Sequence, residues 1–161
     1  MNNTAPNATL TAGDMAPEFS LPREDGSVVA SADLRGRGFV LFFYPRADTA
    51  GCTKEAVAFT GLMADFDNAR VTVLGISKDT VAKQQKFATK HGLTMPLLSD
   101  ADSDVSERFG TWVEKSMYGK TYMGIERATF LIDAEGRIAQ IWRKVKVPGH
   151  AEAVLEVAKA L

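Results

Sequence analysis

Hydrophobic and polar positions along the chain follow two alternating periods. A short apolar stretch at 19–21, the turn Glu24-Asp25-Gly26 and then Ser27-Val28-Val29 predict an N-terminal β-hairpin. Residues 38–44, GFVLFFY, are apolar without interruption and close on Pro45, which predicts a strand buried on both faces. Ala56, Phe59, Leu62, Met63 and Phe66 recur at three- and four-residue steps and predict a helix with one apolar stripe. VTVLGIS, Val71–Ser77, predicts a second buried strand. Asp79 is expected to cap a helix running through His91, with Gly92 as its stop. A short edge strand is expected at 95–98 and a helical turn at 105–109. Ala128–Ile132 reads as a strand and 133–136 as a turn. A strand follows at 138–147; its late alternation, Lys144 and Lys146 against Val145 and Val147, leaves one face wet. An amphipathic helix over 151–161 ends the chain. This order predicts an α/β sandwich, a central mixed sheet flanked by helices. Residues 1–12, small and polar, read as a loose tail, and 13–161 as one domain.

Composition narrows the function. An apolar fraction of 45% across 161 residues excludes a disordered chain. A single cysteine excludes a disulfide scaffold, a zinc finger and an iron–sulfur domain. His91 and His150 are isolated, so no metal is expected, nor any other cofactor. Lys+Arg of 19 against Asp+Glu of 20 gives no electrostatic case for nucleic acid or an anionic membrane. No stretch is apolar enough to span a bilayer, and the first twenty residues lack a basic start and an apolar h-region. A cytoplasmic, thiol-reducing setting is expected.

Attention therefore falls on Cys52. A lone cysteine is most often a small buried hydrophobe. Here, however, it follows a buried strand by one loop and opens the helix of the Phe59 and Phe66 stripe. A helix N-terminus offers unpaired N–H groups and a partial positive charge, which stabilise a thiolate. Thr49 lies near the cap, where its hydroxyl can donate to a substrate oxygen or accept from the thiol.

The segment FYPRADTAGCTKE resembles the peroxiredoxin signature, and MYGKTYMGIERATFLID, FATKHGLTMPLLSD and KVKVPGHAEAVLE resemble the bacterioferritin comigratory protein (peroxiredoxin Q) subfamily. The resemblance runs from about Ala16 to the C-terminus. It implies a thioredoxin-like fold and reduction of hydrogen peroxide and alkyl hydroperoxides. By position, Pro45 would shield the thiolate, Thr49 would hydrogen-bond the peroxide, Cys52 would attack it, and Arg127 would lie beside the sulfur. Glu55 reads either as a first-turn carboxylate favoured by the helix dipole or, by the resemblance, as an active-site hydrogen-bonding partner.

Activating the thiol is not sufficient for speed. Lowering a thiol pKa from ~8.5 to ~6 raises the thiolate fraction at neutral pH roughly thirtyfold. The accompanying loss of nucleophilicity, at a Brønsted slope of ~0.4–0.5, takes back about tenfold. The rest has to come from holding the O–O bond in line and stabilising charge on the leaving oxygen. Thr49, the N–H groups at the helix start and Arg127 are the available donors.

The chain departs from the subfamily at three positions. Val57 and Ala88 stand where its members carry a second, resolving cysteine, and Ala50 stands where proline is usual. No intramolecular disulfide can form, so an outside thiol must resolve the Cys52 sulfenic acid: thioredoxin, glutaredoxin or glutathione, or the Cys52 of a second chain. A rival reading is a peroxide sensor or redox adaptor that passes oxidation to a partner protein. A third is a binding module with an inert cysteine. A monomer is expected. Tyr118 and Tyr122, in YGKTYMG, read as a mobile loop near the site or as a satellite core under a loop.

Overall fold

The computed structural model describes residues 9–161. The chain opens with the hairpin β1 (Ser20–Pro22) and β2 (Val28–Ala30), then a short 3-10 turn at Ser31–Leu34. β3 (Gly38–Phe43), α1 (Ala50–Gly61), α2 (Met63–Asn68), β4 (Val71–Ser77), α3 (Val81–His91) and β5 (Leu97–Ser99) follow. After α4 (Val105–Arg108) come a second hairpin, β6 (Trp112–Met117) and β7 (Lys120–Ile125), then β8 (Ala128–Ile132), β9 (Ile138–Trp142) and α5 (His150–Ala158). Five strands form the central sheet in the order β5-β4-β3-β8-β9. β3, β4 and β5 are parallel, while β8 is antiparallel to both β3 and β9, so the sheet is mixed as expected.

The continuous apolar strands follow from two cores, one on each face of the sheet. Alternate residues point to opposite faces. Val40, Phe42 and Tyr44 join α1, α2, α3 and α5 in one cluster. Phe39, Leu41 and Phe43 join β8, α4 and the N-terminal hairpin in the other. On the first face, the Phe42 ring stacks on Phe59 of α1 with centroids 4.7 Å apart. Phe42 is paired with Gly75 of β4, and a Cβ on Gly75 would lie 2.8 Å from the Phe42 ring and 3.0 Å from Leu97. The missing side chain gives Phe42, and through it α1, its seat on the sheet. Gly75→Ala should therefore destabilise by ~1–3 kcal/mol, the usual cost of overpacking. Urea unfolding checks this, and an unchanged midpoint would show that the stack yields freely.

Four expectations need correction. The helix expected over 56–66 is broken at Leu62, whose N–H turns back to the Phe59 carbonyl after the poor helix former Gly61. Asp79 does not cap α3. Thr80 does, accepting from the Lys83 N–H at 3.3 Å. The strand expected to reach 147 stops at Trp142, because Lys144 adopts φ +47° and breaks the pleat. The YGKTYMG stretch forms the turn of the β6–β7 hairpin, at Tyr118 and Gly119 with φ of +53° and +77°, and most of β7. Consecutive positive φ values match the right-handed twist of a hairpin. This hairpin carries little one-sided apolar alternation, since it is mostly exposed. Of the expected tail, residues 1–8 lie outside the described residues. Leu10 packs against the second core cluster, and the Gly13 N–H donates to the Ile138 carbonyl.

Candidate active site

The buried strand β3 delivers the chain to the loop 45–49, which is held from beneath by a polar network. Tyr44 donates its hydroxyl to Gln84 of α3; Gln84 Nε2 donates to Ser77 Oγ at 3.0 Å and to the Leu98 carbonyl at 2.8 Å. Ser77 donates to Asp79 Oδ2 at 2.6 Å, and that same oxygen accepts the Ala47 N–H at 2.7 Å. Asp79 therefore pins the middle of the loop, a role its sequence context did not reveal. The next residue, Asp48, sits at φ +64°. Lys90 Nζ at 2.9 Å and His91 Nε2 at 2.7 Å, from the last turn of α3, reach its carboxylate. Hydrogen bonds from His91 and Lys90 hold Asp48 below the usual carboxylate value.

Thr49 occupies the cap position of α1 in extended backbone, but its side chain makes no capping bond. Its hydroxyl donates to the Arg46 carbonyl at 2.9 Å. The N–H groups of Ala50, Gly51 and Cys52 fall in the first turn, where no intrahelical carbonyl reaches them. Cys52 is a free thiol in that turn, 1% exposed. Glu55, one turn further on the same helix, is equally buried.

Arg127 comes from the opposite branch of the sheet, in the link between β7 and β8. That link is clamped on both sides. The Glu126 N–H donates to the Thr111 carbonyl at 2.7 Å, the Glu126 carboxylate accepts the Lys144 N–H at 2.9 Å, and the Val145 N–H donates to the Arg127 carbonyl at 3.1 Å. The guanidinium donates from Nη1 to Glu55 Oε1 at 2.8 Å. Its Nη2 lies 3.1 Å from where a Cβ on Gly51 would stand. Gly51 thus lets the cation approach the start of α1, two residues into the helix and one before Cys52. Burial alone would lower Arg127, but the negative charges of Cys52 and Glu55 outweigh it and hold the guanidinium above the usual arginine value.

The fold brings Cys52, Glu55 and Arg127 together around the first turn of α1. It leaves Thr49 turned to the loop and Pro45 half-buried at the loop entrance. Two neighbours were not singled out from the sequence. One is Gly51. The other is Lys115 on β6, whose methylenes lie over Gly124 of β7. Burial and the Arg127 charge push the Lys115 ammonium down, while the charges of Cys52 and Glu126 oppose them. No local pattern marks Lys115, because the hairpin that presents it looked like a loop.

Burial pushes the Glu55 carboxyl up to about 7 from 4.5, against the pull of Arg127. Its second oxygen has no hydrogen-bond partner among the described residues. Burial, with the Arg127 charge, pushes His150 down to about 4 from 6.5. His150 packs edge-on against Phe59 and Trp142 and pairs through Nε2 with Thr129 Oγ1 at 2.8 Å, a structural role. The two groups act on stability in opposite directions. Glu55 holds its proton more tightly when folded, so its contribution is full below pH 4.5 and is lost as pH rises toward 7. His150 holds its proton less tightly when folded, so its contribution is full above pH 6.5 and is lost as pH falls toward 4. Glu55→Gln leaves His150 unopposed. Its stability relative to wild type should rise across this window, by at most about 1.4 kcal/mol per pH unit for one proton. Urea midpoints measured across the window test this, and curves that run parallel would refute it.

Known proteins resemble this chain over nearly its full length. The AhpC/TSA family matches residues 12–141. The chain is 48% identical over 147 residues to a putative peroxiredoxin bcp of Coxiella burnetii, covering 91% of this chain and 97% of that protein. It is 47% identical over 150 residues to peroxiredoxin Bcp of Escherichia coli K12, covering 93% and 96%. Among solved structures, Xanthomonas campestris peroxiredoxin Q superposes with a TM-score of 0.86 at 39% identity, over 97% of this chain and 98% of that one. A bacterioferritin comigratory protein of the same organism, described for alkyl peroxide reduction, gives a TM-score of 0.84 at 42% identity over 88% and 90%.

Proposed function

The chain belongs to the AhpC/TSA family, and from that membership we propose that it is a thiol-dependent peroxidase whose attacking atom is the Cys52 sulfur. Its substrates are hydrogen peroxide and alkyl hydroperoxides, and its electrons come from a thiol reductant. The observation that carries the site assignment is the seating of Arg127 against Gly51 and Glu55, beside the sole cysteine in the first turn of α1.

The Cys52 thiolate attacks one peroxide oxygen; an S–O bond forms as the O–O bond breaks. The other oxygen leaves with the bonding pair and takes a proton to become water or an alcohol. Arg127 and the first-turn N–H groups face the charge as it moves from sulfur to oxygen. Thr49 contributes by swinging its hydroxyl from the Arg46 carbonyl to the peroxide, and Pro45 by screening the sulfur from water. Glu55 holds the guanidinium in place. The sulfenic acid left on Cys52 meets an external thiol, since the chain carries no second cysteine. Because Cys52 is buried, this step needs local opening of the loop and the first turn of α1. We read the protein as a cytoplasmic monomer. In support, no helix among the described residues is long and apolar enough to cross a membrane, and the net charge of −1 offers no pull toward anionic surfaces.

Stopped-flow oxidation of the reduced protein by hydrogen peroxide, with intact-mass detection of a trapped sulfenic acid, tests the reading. Oxidation far faster than free cysteine, with the adduct on Cys52, supports it. Oxidation at the rate of free cysteine would mean that the fold persists without the chemistry.

A further inference from the structure

Behind the loop that leads into α1, a cleft of about 640 Å³ opens between residues 46–48 and the exposed side of α3. Sites for small molecules commonly fall between ~300 and ~1,000 Å³. Its floor is apolar. Phe87 belongs to the buried cluster that contains Cys52, and Ala47 packs against that cluster. Its rim is cationic: Arg46, Lys83, Lys86 and Lys90 face it. Two carboxylates also line it, and both are already engaged. Asp79 accepts from Ala47 and Ser77, and Asp48 is bridged by Lys90 and His91. Arg46, Lys83 and Lys86 make no salt bridge among the described residues. Three positive charges without a salt-bridge partner among the described residues therefore surround an apolar floor that is continuous with the buried cluster holding Cys52.

We propose that this cleft seats the reductant, an anionic low-molecular-weight thiol of the glutathione type, with its carboxylates on the lysine rim and its thiol toward the loop. The proposal rests on the peroxidase reading above. A sulfenic acid on a cysteine that is 1% exposed offers no approach to the cysteine of a folded protein in this conformation. A small thiol already held against Ala47 meets the sulfur once the loop and the first turn of α1 open, with no second protein to accommodate. Its thiolate attacks the Cys52 sulfur; an S–S bond forms, the S–O bond breaks, and the oxygen leaves as water. A second molecule of the same thiol attacks the sulfur of the first, forming the small-molecule disulfide and releasing the Cys52 thiolate. Two electrons pass from two thiols to the oxygen delivered by the peroxide.

The unreactive analogue S-methylglutathione, titrated into the reduced protein, should shift backbone amide resonances at 46–48 and 83–90 in a saturable, salt-sensitive manner. Shifts elsewhere only, or none, would overturn the proposal. In the second arm, glutathione reacts with pre-oxidised protein. For Lys83→Ala/Lys86→Ala its rate should fall roughly tenfold, as expected for losing two screened charge contacts. The rate with uncharged 2-mercaptoethanol should stay the same. Equal rates of glutathione with variant and wild type would place its site elsewhere, and so would a loss shared by both thiols. The oxidation of Cys52 by peroxide is read separately and should be unchanged in the variant. Its absence in wild type would instead defeat the peroxidase reading itself.

Discussion

Cys52→Ser should reduce peroxide consumption to the uncatalysed background while leaving a folded protein. A thiol of ordinary pKa ~8.5 is already a few per cent ionised at neutral pH, whereas a serine hydroxyl is not ionised at all there. No other group in the chain can take its place, because Cys52 is the sole cysteine. The exchange is nearly isosteric and sits in the first turn of α1, where free N–H groups can meet the new oxygen. Its effect on stability should stay within the ~1–3 kcal/mol expected for a buried hydroxyl. Peroxide consumption and thermal unfolding, measured on the same preparation, check both halves. Turnover well above background in the serine variant would move the chemistry away from position 52.

Arg127→Ala should slow the oxidation of Cys52 by about 10²–10³-fold, the usual cost of removing one preorganised donor to developing charge. Loss of thiolate explains only a small part of this, because ionisation and nucleophilicity largely offset one another. The rate should therefore fall by more than the measured change in thiolate titration accounts for; equal changes in the two would reduce Arg127 to a mere ioniser of the thiol. The substitution also strands Glu55, a buried carboxylate with Arg127 as its only hydrogen-bond partner among the described residues. Breaking one side of a buried ion pair costs ~3–5 kcal/mol. The double variant Arg127→Ala/Glu55→Gln should recover much of that stability and none of the rate. Arg127→Lys should restore the charge without the planar fork and return only part of the activity.

The sheet was legible wherever burial was complete. β3, β4 and β8 announced themselves because both faces of each strand are covered, which leaves long apolar runs broken only by Thr72, Ser77 and Thr129 and by no charged residue. The β6–β7 hairpin was hidden because it is mostly solvated, and because its turn uses Tyr118, a residue that rarely adopts positive φ. The candidate site divided along similar lines. Cys52 could be found from its place between a buried strand and an amphipathic helix, which is local information. Arg127 needed the resemblance, since its partner Glu55 is 72 residues away in sequence. Asp79 looked like a helix cap because the pattern Asp-Thr before a helix permits either residue to cap. Thr80 took the role, and the carboxylate was used across the loop instead. Gly51 and Lys115 left no trace in the sequence pattern, because each matters only through a group brought to it by tertiary folding.

The pairing of Phe43 with Ala128 joins the parallel and antiparallel parts of the sheet. It also places the end of the strand that leads to Cys52 beside the residue that follows Arg127. Cys52 and Arg127 thus lie on opposite sides of a long-range seam. Contacts of such wide sequence separation form slowly, after local elements have assembled. A chain in which this seam has not yet closed carries Cys52 with no guanidinium beside it. On the peroxidase reading proposed above, full reactivity toward peroxide is therefore a property of the closed topology and not of the local cysteine motif alone.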